Sequence, residues 1–186
     1  MSKRDDIVEA AHTLFWRHGF ESTSPGMILK ESGAGQGSLY HHFSGKVGLA
    51  SEVLGESVTA LTERLDATFD GSLPPLDRVV AWLHQPRDAL AGCRLGRFAA
   101  EQDVLDQPEL AAPLAAYFAD VTDRIEAALT AAQREGTLPP HLHPGDLACT
   151  LVAVVQGGYV ASRATGDRGA MEKALRGALS LLRSIR

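Results

Sequence analysis

Residues 33–43, Gly-Ala-Gly-Gln-Gly-Ser-Leu-Tyr-His-His-Phe, constrain the fold of this chain more than any other segment. The glycines at its start predict a tight turn, which leads into a helix of roughly two turns. In such a helix Leu39 and Phe43 share one face, and Gly37 and His41 lie nearly opposite. Because so short a helix is unstable alone, we expect Leu39 and Phe43 to anchor it. A narrow outward face of small, polar and aromatic groups is typical of a recognition helix that fits the major groove of DNA.

Two further helices are predicted before this segment. Apolar residues recur at helical spacing from Lys3 to His18. Ser24 as N-cap and Pro25 at the first helical position predict the start of a second helix. The N-terminus of that helix suits a phosphate oxygen as well as a simple cap. Lys3 and Arg4 form a short basic arm, which either contacts DNA or is merely solvated.

The sequence from Gly37 to Phe43, followed by Lys46 and Leu49, matches a family pattern almost residue for residue. That pattern is Gly, Ser or Thr, Leu, Tyr, His or Tyr, His and Phe, with a Lys and a Leu downstream. Residues 20–49 therefore resemble the DNA-binding end of a TetR-family transcriptional repressor. The resemblance covers about the first fifty residues, and beyond them only the all-helical layout is similar. Gly35 departs from the family, which usually has a Ser or Thr cap there, so a phosphate contact from that side chain is lost.

The helical face and the resemblance together give candidate DNA-binding residues. Gln36 can reach adenine or guanine edges through its side-chain amide. Tyr40, His41 and Lys46 match the family's phosphate contacts, which supply affinity rather than sequence reading. We expect His42 to point inward and to pack or cap. The full candidate set is Thr23, Ser24, Gln36, Gly37, Ser38, Tyr40, His41 and Lys46.

The remainder of the chain keeps a helical apolar rhythm with no strand-like alternation, which predicts an all-α fold of about nine helices. We assign residues 1–50 to a three-helix helix-turn-helix head and residues 51–186 to a larger helical lobe for ligand binding and dimerisation. The segment 70–75 is the strongest break, and Pro86 either kinks or ends its helix. Beyond the head, helices are predicted over 46–69, 76–91, 92–103 and 108–135, and from about 143 and 168.

The last two long helices are apolar on more than one side, and a monomer can cover only one such stripe. Gly157 and Gly158 lie within the first of them, and each glycine costs a helix about 1 kcal/mol relative to Ala. That cost indicates a close backbone approach or room for a ligand. The family resemblance implies a two-fold homodimer through these helices, whereas a monomer core is the simpler alternative. Two heads about 34–36 Å apart would meet successive major grooves.

Polar or aromatic residues on otherwise apolar faces of the lobe are candidates for an effector pocket. Each of them alone is more often ordinary core, so only the set as a whole indicates a ligand site. The resemblance implies a small-molecule inducer here, and we expect a small hydrophobic ligand. The candidates are Trp82, Phe98, Gln102, Tyr117, Phe118, Gln156 and Tyr159.

Composition excludes several other classes of protein. The net charge is −5, with five basic and five acidic residues in the head, so any basic surface is local. No apolar run is long enough to cross a bilayer and the N-terminus lacks a signal sequence, which predicts a cytoplasmic protein. The pair His141 and His143 with Asp146 is a poor metal site, so we predict no metal and no cofactor. Cys93 and Cys149 make only a weak redox switch.

The leading hypothesis is a homodimeric, ligand-released repressor of a pseudo-palindromic operator on double-stranded DNA. The alternative is a DNA-binding dimer without an inducer, controlled by a protein partner or constitutive. A small helical enzyme is disfavoured because no nucleophile with a base, no paired carboxylates and no phosphate loop is evident. The glycine-rich segment 33–37 follows a helix rather than a strand, so it fails as a nucleotide-binding motif.

Overall fold

The computed structural model describes residues 2–184, and all regular structure within that range is α-helical. This confirms the predicted all-α class. Ten helices follow in chain order: α1 (Lys3–His18), α2 (Pro25–Ser32), α3 (Gln36–His42), α4 (Lys46–Thr68), α5 (Pro75–His84), α6 (Arg94–Ala99), α7 (Gln102–Leu105), α8 (Pro108–Arg134), α9 (Pro144–Thr165) and α10 (Gly169–Ser184).

Capping residues set the bounds of the first two helices. Ser2 and Asp5 form a capping box, because the Ser2 Oγ accepts the Asp5 N–H at 3.2 Å and the Asp5 carboxylate accepts the Ser2 N–H at 2.9 Å. Gly19 ends α1 with φ 91°, a value that favours glycine. Ser24 caps α2 by accepting the N–H of Met27 at 3.3 Å, as the sequence predicts.

The helix predicted from Leu76 to Ala91 ends at His84. Pro86 disfavours the helical conformation in the residue before it, and Gln85 is extended with φ −53° and ψ 139°. Of the two outcomes expected for this proline, termination is therefore the one observed.

The single helix predicted over residues 92–103 is two short helices, α6 and α7, which brings the number of described helices to ten rather than nine. Glu101 separates them with an extended backbone, φ −112° and ψ 124°. Its carboxylate accepts the backbone N–H of Phe20 at 3.0 Å and of Glu21 at 2.7 Å. The break between α6 and α7 therefore coincides with two hydrogen bonds to backbone that is distant in sequence.

Residues Met1–Ala60 and Arg94–Ala116 form one compact unit, called unit 1 here. Phe15 of α1 is fully buried in it, and its ring centroid lies 5.7 Å from that of Phe20 and 5.9 Å from that of Phe98. Burial of these rings and of aliphatic side chains holds α1, α2 and α3 together. Fully buried in this unit are Ile7, Ala11, Ile28, Leu39, Leu49, Ala50, Leu54, Leu95, Val104 and Leu110.

Residues Leu61–Cys93 and Tyr117–Arg186 form the second compact unit, unit 2, which contains α5, α9 and α10. Gly158 allows α9 and α10 to pack closely, because a Cβ there would lie 2.5 Å from Met171 Sδ. Ser162, fully buried, accepts the Met171 N–H at 3.0 Å. The core includes Leu65, Val79, Leu83, Ile125, Leu129, Ala132, Ala148 and Leu179.

Candidate nucleic-acid interface and effector cavity

Helix α3 presents the face that its sequence predicts. Leu39 is completely buried and Phe43 is 8% exposed, so these two side chains anchor the helix. On the other side Gly37 and His41 are exposed, and Tyr40 is 57% exposed. The structure thus confirms which face of α3 is buried and which is open.

The start of α3 is shaped by glycine. Gly33 takes the left-handed conformation with φ 62°, which ends α2 and turns the chain. Gly35 is the N-cap of α3 and makes no side-chain capping bond. A Cβ at Gly37 would meet nothing within 4 Å, so the surface there is open to an approaching molecule. Exposed Gln36 and half-buried Ser38 flank it.

The positions of two candidate residues beside the turn differ from one another. Ser24 is exposed at the N-terminus of α2. Thr23 is fully buried, and its hydroxyl donates to the Gly19 carbonyl at 2.7 Å. Its side chain therefore cannot reach DNA, and we remove Thr23 from the candidate set. The predicted DNA contact of Thr23 was wrong because its hydroxyl bonds within the turn that follows α1.

Lys46 lies at the start of α4 with its Nζ 4.2 Å from the centroid of the Phe20 ring. The Nζ donates to the Glu21 carbonyl at 3.3 Å, at an exposed position. Arg4 is not a free arm, because it pairs with Glu52 at 2.6 Å and lies over the Phe43 ring. Neighbouring groups thus orient both Lys46 and Arg4.

The observed position of His42 contradicts the sequence-based expectation that its side chain points inward. It is exposed, with its ring 4.9 Å from that of His41. A helix of seven residues ends at His42, and its last turn leaves this side chain without a neighbouring helix to cover it.

Sequence reasoning missed a cluster of side chains that joins α1 to α4 and α6. Arg94 Nη1 lies 2.6 Å from His12 Nε2, and its guanidinium stacks 4.4 Å above the Trp16 ring. His12 Nε2 is also 3.3 Å from Ser57 Oγ. Burial, and then the charge of Arg94, lower the pKa of His12. The partners are far apart in sequence, so no local pattern could have indicated them.

Unit 2 contains a cavity of about 70 Å³. Five of the predicted effector residues line it: Trp82, Tyr117, Phe118, Gln156 and Tyr159. The other lining residues are Leu61, Arg64, Gln85, Pro86, Arg87, Cys93, Val121, Val152 and Val155. Sequence reasoning missed the two arginines because it considered only polar and aromatic groups on apolar helix faces.

Two of the predicted effector residues do not line this cavity. Phe98 is 5% exposed and packs against Phe15 in the core of unit 1. Gln102 is exposed on α7, where its amide donates to Asp106 at 2.7 Å. For Phe98 the ordinary role of an aromatic side chain, packing in a core, is the one observed.

Unit 2 also has an apolar groove of about 490 Å³ along α9 and α10. Gly157 opens onto it, since a Cβ there would meet nothing within 4 Å. Leu181 lies along it and is 69% exposed. This "α9–α10 groove" is lined by Leu147, Thr150, Leu151, Val154, Gly157, Gly158, Ala161, Lys173, Ala174, Gly177, Ala178, Leu181 and Leu182.

Among the described residues one helix, α9, is long and apolar enough to cross a membrane, with a mean hydropathy of 1.2, contrary to the sequence-based expectation. The core helix of a water-soluble protein meets the same criteria, so α9 alone does not indicate a membrane protein. Among residues 2–184 no group of three or more His, Cys, Asp or Glu side chains is placed to hold a metal ion.

Helix α3 is short, follows a tight turn, buries one face in a three-helix core and exposes the other. This arrangement defines a helix-turn-helix DNA-binding protein. The sequence profile described as "Bacterial regulatory proteins, tetR family" matches residues 7–53. The profile "Tetracyclin repressor-like, C-terminal domain" matches residues 74–178, more than half of the chain. The chain belongs to the TetR family of transcriptional regulators. This confirms the resemblance of residues 20–49, and membership of a family of regulators confirms that the chain is not an enzyme.

Named relatives extend over most of the chain. The HTH-type transcriptional repressor ComR of Escherichia coli (strain K12) is 26% identical over 187 aligned residues, covering 97% of this chain and 87% of the relative. The HTH-type transcriptional regulator LmrA of Bacillus subtilis (strain 168) is 31% identical over 112 residues, covering 56% of this chain and 60% of the relative.

Solved structures share the fold. A TetR-family regulator from Agrobacterium tumefaciens has a TM-score of 0.86 at 24% identity, covering 98% of this chain and 97% of that one. The ketosteroid transcriptional regulator KstR2 of Mycobacterium tuberculosis has a TM-score of 0.74 at 22% identity, covering 99% and 95%.

Proposed function

We propose that this regulator is a homodimeric repressor that acts in the cytoplasm, binds a pseudo-palindromic operator and is released by a small molecule. Residues 1–50 would bind DNA, and residues 51–186 would carry the ligand cavity and the dimer surface. The observation that carries the proposal is the outward face of α3, which is held by buried Leu39 and Phe43 and leaves Tyr40 and His41 exposed.

The division of labour on this face follows from side-chain chemistry. Gln36 and Ser38 would read base edges, with Gly37 allowing the backbone close to the groove. Tyr40, His41, Lys46 and the N-terminus of α2 at Ser24 would bind phosphates. Lys46 is already directed by its contact with the Glu21 carbonyl, so little side-chain entropy is lost when it binds.

Dimerisation would occur through the α9–α10 groove. An open apolar groove of this size is costly in water and is typical of an interaction surface. Gly157 leaves room for a partner helix to approach closely. The family fold supports a second copy of the chain as the partner. A closed two-fold dimer would present two heads to successive half-sites.

The small molecule would bind in the cavity of unit 2. Aromatic walls with a few polar groups are typical of ligand sites, and Trp82, Tyr117 and Tyr159 supply both. Helix α4 is continuous from Lys46 to Thr68 and includes Leu61 and Arg64, which line the cavity. We propose that a ligand acts through α4, which requires it to favour one conformation energetically.

The experiment that tests DNA reading separates affinity from specificity. Fluorescence anisotropy on a panel of operator variants would compare Gln36→Ala with Tyr40→Phe. Gln36→Ala should change the ranking of the variants, by about 1–3 kcal/mol at one position. Tyr40→Phe should weaken all of them similarly.

A charge-matched pair completes that test. Lys46→Ala should weaken binding and lower the slope of log affinity against log salt by about 1. Arg134→Ala removes the same charge from an exposed position at the end of α8 and should change neither. If Gln36→Ala leaves the ranking of operator variants unchanged, the base-reading role is wrong.

The alternative, a DNA-binding dimer without an inducer, predicts that filling the cavity has no effect on DNA. A bulky replacement such as Val152→Trp tests this point, because Val152 lines the cavity and is half-buried on α9. DNA affinity that is unchanged in a folded variant, together with failure of any metabolite fraction to release the operator, would favour the alternative.

A further inference from the structure

The walls of the cavity in unit 2 carry an unbalanced positive charge. Arg64 and Arg87 both line it, and none of its lining residues is Asp or Glu. Asp88 is close enough for its charge to act on Tyr159, yet it lies outside the lining and pairs with Arg168 at 3.6 Å. A site with two guanidinium groups and no carboxylate favours an anion electrostatically.

Arg87 is the more enclosed of these cations. Its Nη1 donates to the backbone carbonyls of Leu83 at 2.9 Å and Gln85 at 2.8 Å, and its Nη2 donates to the backbone carbonyl of Trp82 at 2.7 Å. Within residues 2–184 it forms no ion pair with a carboxylate. Burial lowers the pKa of the guanidinium, and its neighbours are neutral groups, namely these three carbonyls and the Trp82 ring 5.3 Å away. A charge in that position is stabilised by a counter-ion.

The two tyrosines of the cavity complement the arginines. Burial raises the pKa of Tyr117 and of Tyr159 to about 12. Both phenols therefore remain protonated at neutral pH and can each donate a hydrogen bond. The amide of Gln156, which donates to Cys93 Sγ at 3.7 Å, offers a further N–H. The polar groups of the wall are thus rich in donors, as an anionic acceptor requires.

Shape limits the size and form of the ligand. A volume of about 70 Å³ is well below the roughly 300–1,000 Å³ of drug-sized sites, so the cavity admits only a small ligand. The rings of Trp82, Tyr117, Phe118 and Tyr159 bound this space, and such walls suit a flat apolar body.

We propose that the cavity binds a small organic monoanion, with its carboxylate directed to Arg64 and Arg87 and its flat body between the aromatic rings. This inference rests on the proposed function for the location of the site and specifies the class of ligand.

Three probes of one shape and different charge test it. Benzoate, benzamide and benzamidine carry negative, neutral and positive groups on the same ring. Isothermal titration calorimetry of the full chain should show benzoate binding at least about tenfold more tightly than benzamide, from charge-assisted hydrogen bonds. Benzamidine should bind most weakly. Equal or tighter binding of benzamide, or binding by none of the three, overturns the proposal.

Variants locate the site. Arg64→Gln changes an exposed residue and should weaken benzoate several-fold without affecting benzamide. Arg134→Gln, the same change outside the cavity, should leave both unchanged. The chain has two tryptophans, so in a Trp16→Phe background the emission of Trp82 should respond to benzoate. If benzoate binds without changing Trp82 emission, and Arg64→Gln does not weaken benzoate relative to benzamide, the ligand binds elsewhere and the proposal is contradicted.

An operator-release assay on the same protein distinguishes failure of the anion site from failure of ligand-controlled release. If benzamide binds the cavity more tightly than benzoate and releases DNA, ligand control stands and the anion inference fails. If benzoate binds as expected and operator affinity does not change, the anion site stands and ligand-controlled release fails.

Discussion

Replacing Glu101 with Ala should weaken both the fold of unit 1 and its binding to DNA. The carboxylate accepts the N–H groups of Phe20 and Glu21 at 3.0 and 2.7 Å. Hydrogen bonds to charged groups contribute about 1.5–3 kcal/mol when partly buried and less when exposed. Only the bond to Phe20 is partly buried, so we expect a loss of about 2–4 kcal/mol in the free energy of unfolding.

The effect on DNA follows from what the two N–H groups hold in place. Glu21 carries the carbonyl that orients Lys46, and the Ser24 cap of α2 comes three residues later. Without the carboxylate, this turn must be ordered when DNA binds, at about 1–2 kcal/mol per residue fixed. Operator affinity should therefore fall roughly five- to thirtyfold.

The assays are urea unfolding followed by circular dichroism, and fluorescence anisotropy with a labelled operator. Glu101→Gln keeps one acceptor oxygen and should lose about half as much stability as Glu101→Ala. Glu63→Ala removes an exposed carboxylate from the C-terminal part of α4, and its free energy of unfolding should stay within about 0.5 kcal/mol of the parent value. Stability and operator affinity unchanged in Glu101→Ala, relative to Glu63→Ala, would refute the reasoning.

Two further predictions concern the dimer surface and pH. Leu181→Asp places a charge in the α9–α10 groove and should convert dimers to monomers, as measured by sedimentation at micromolar concentration. Ser180→Asp, at the neighbouring exposed position outside the groove, should leave the dimer intact. Dimers in both variants would rule out this surface. The pKa of His12 in the folded protein is below its ordinary value of 6.5. As the pH is lowered, His12 therefore becomes protonated in the unfolded chain before it does so in the folded protein. The free energy of unfolding should be highest above about pH 6.5 and fall below it. Unfolding measured across this range should show a weaker pH dependence for His12→Gln, and an identical dependence would contradict the assignment.

Local periodicity was sufficient to predict most of the fold. The bounds of α1 and α8, and the start of α10, follow from apolar spacing, caps and prolines, because these signals act within a few residues. The face of α3 was predictable for the same reason. The break between α6 and α7 was not, because it depends on Glu101 meeting backbone N–H groups about 80 residues away.

The candidate sites show the same limit. Aromatic residues of the effector set were found by type, but type could not separate Tyr117, which lines the cavity, from Phe98, which packs against Phe15. Thr23 was misassigned because its hydroxyl has a local carbonyl partner. Arg87 was missed because residues 76–91 were predicted to be one helix, whereas the helix ends at His84 and the Arg87 side chain bonds the carbonyls at that end.

The central claim is that the open face of α3 reads a two-fold DNA site. Selection of bound duplexes from a random pool by the purified full chain, at low salt, tests it most directly. We expect an inverted repeat whose half-site centres are about 10–10.5 base pairs apart or a multiple of that spacing, and loss of its base preference in Gln36→Ala. Recovery of no enriched sequence, or of the same sequence with equal preference from Gln36→Ala, would contradict the account.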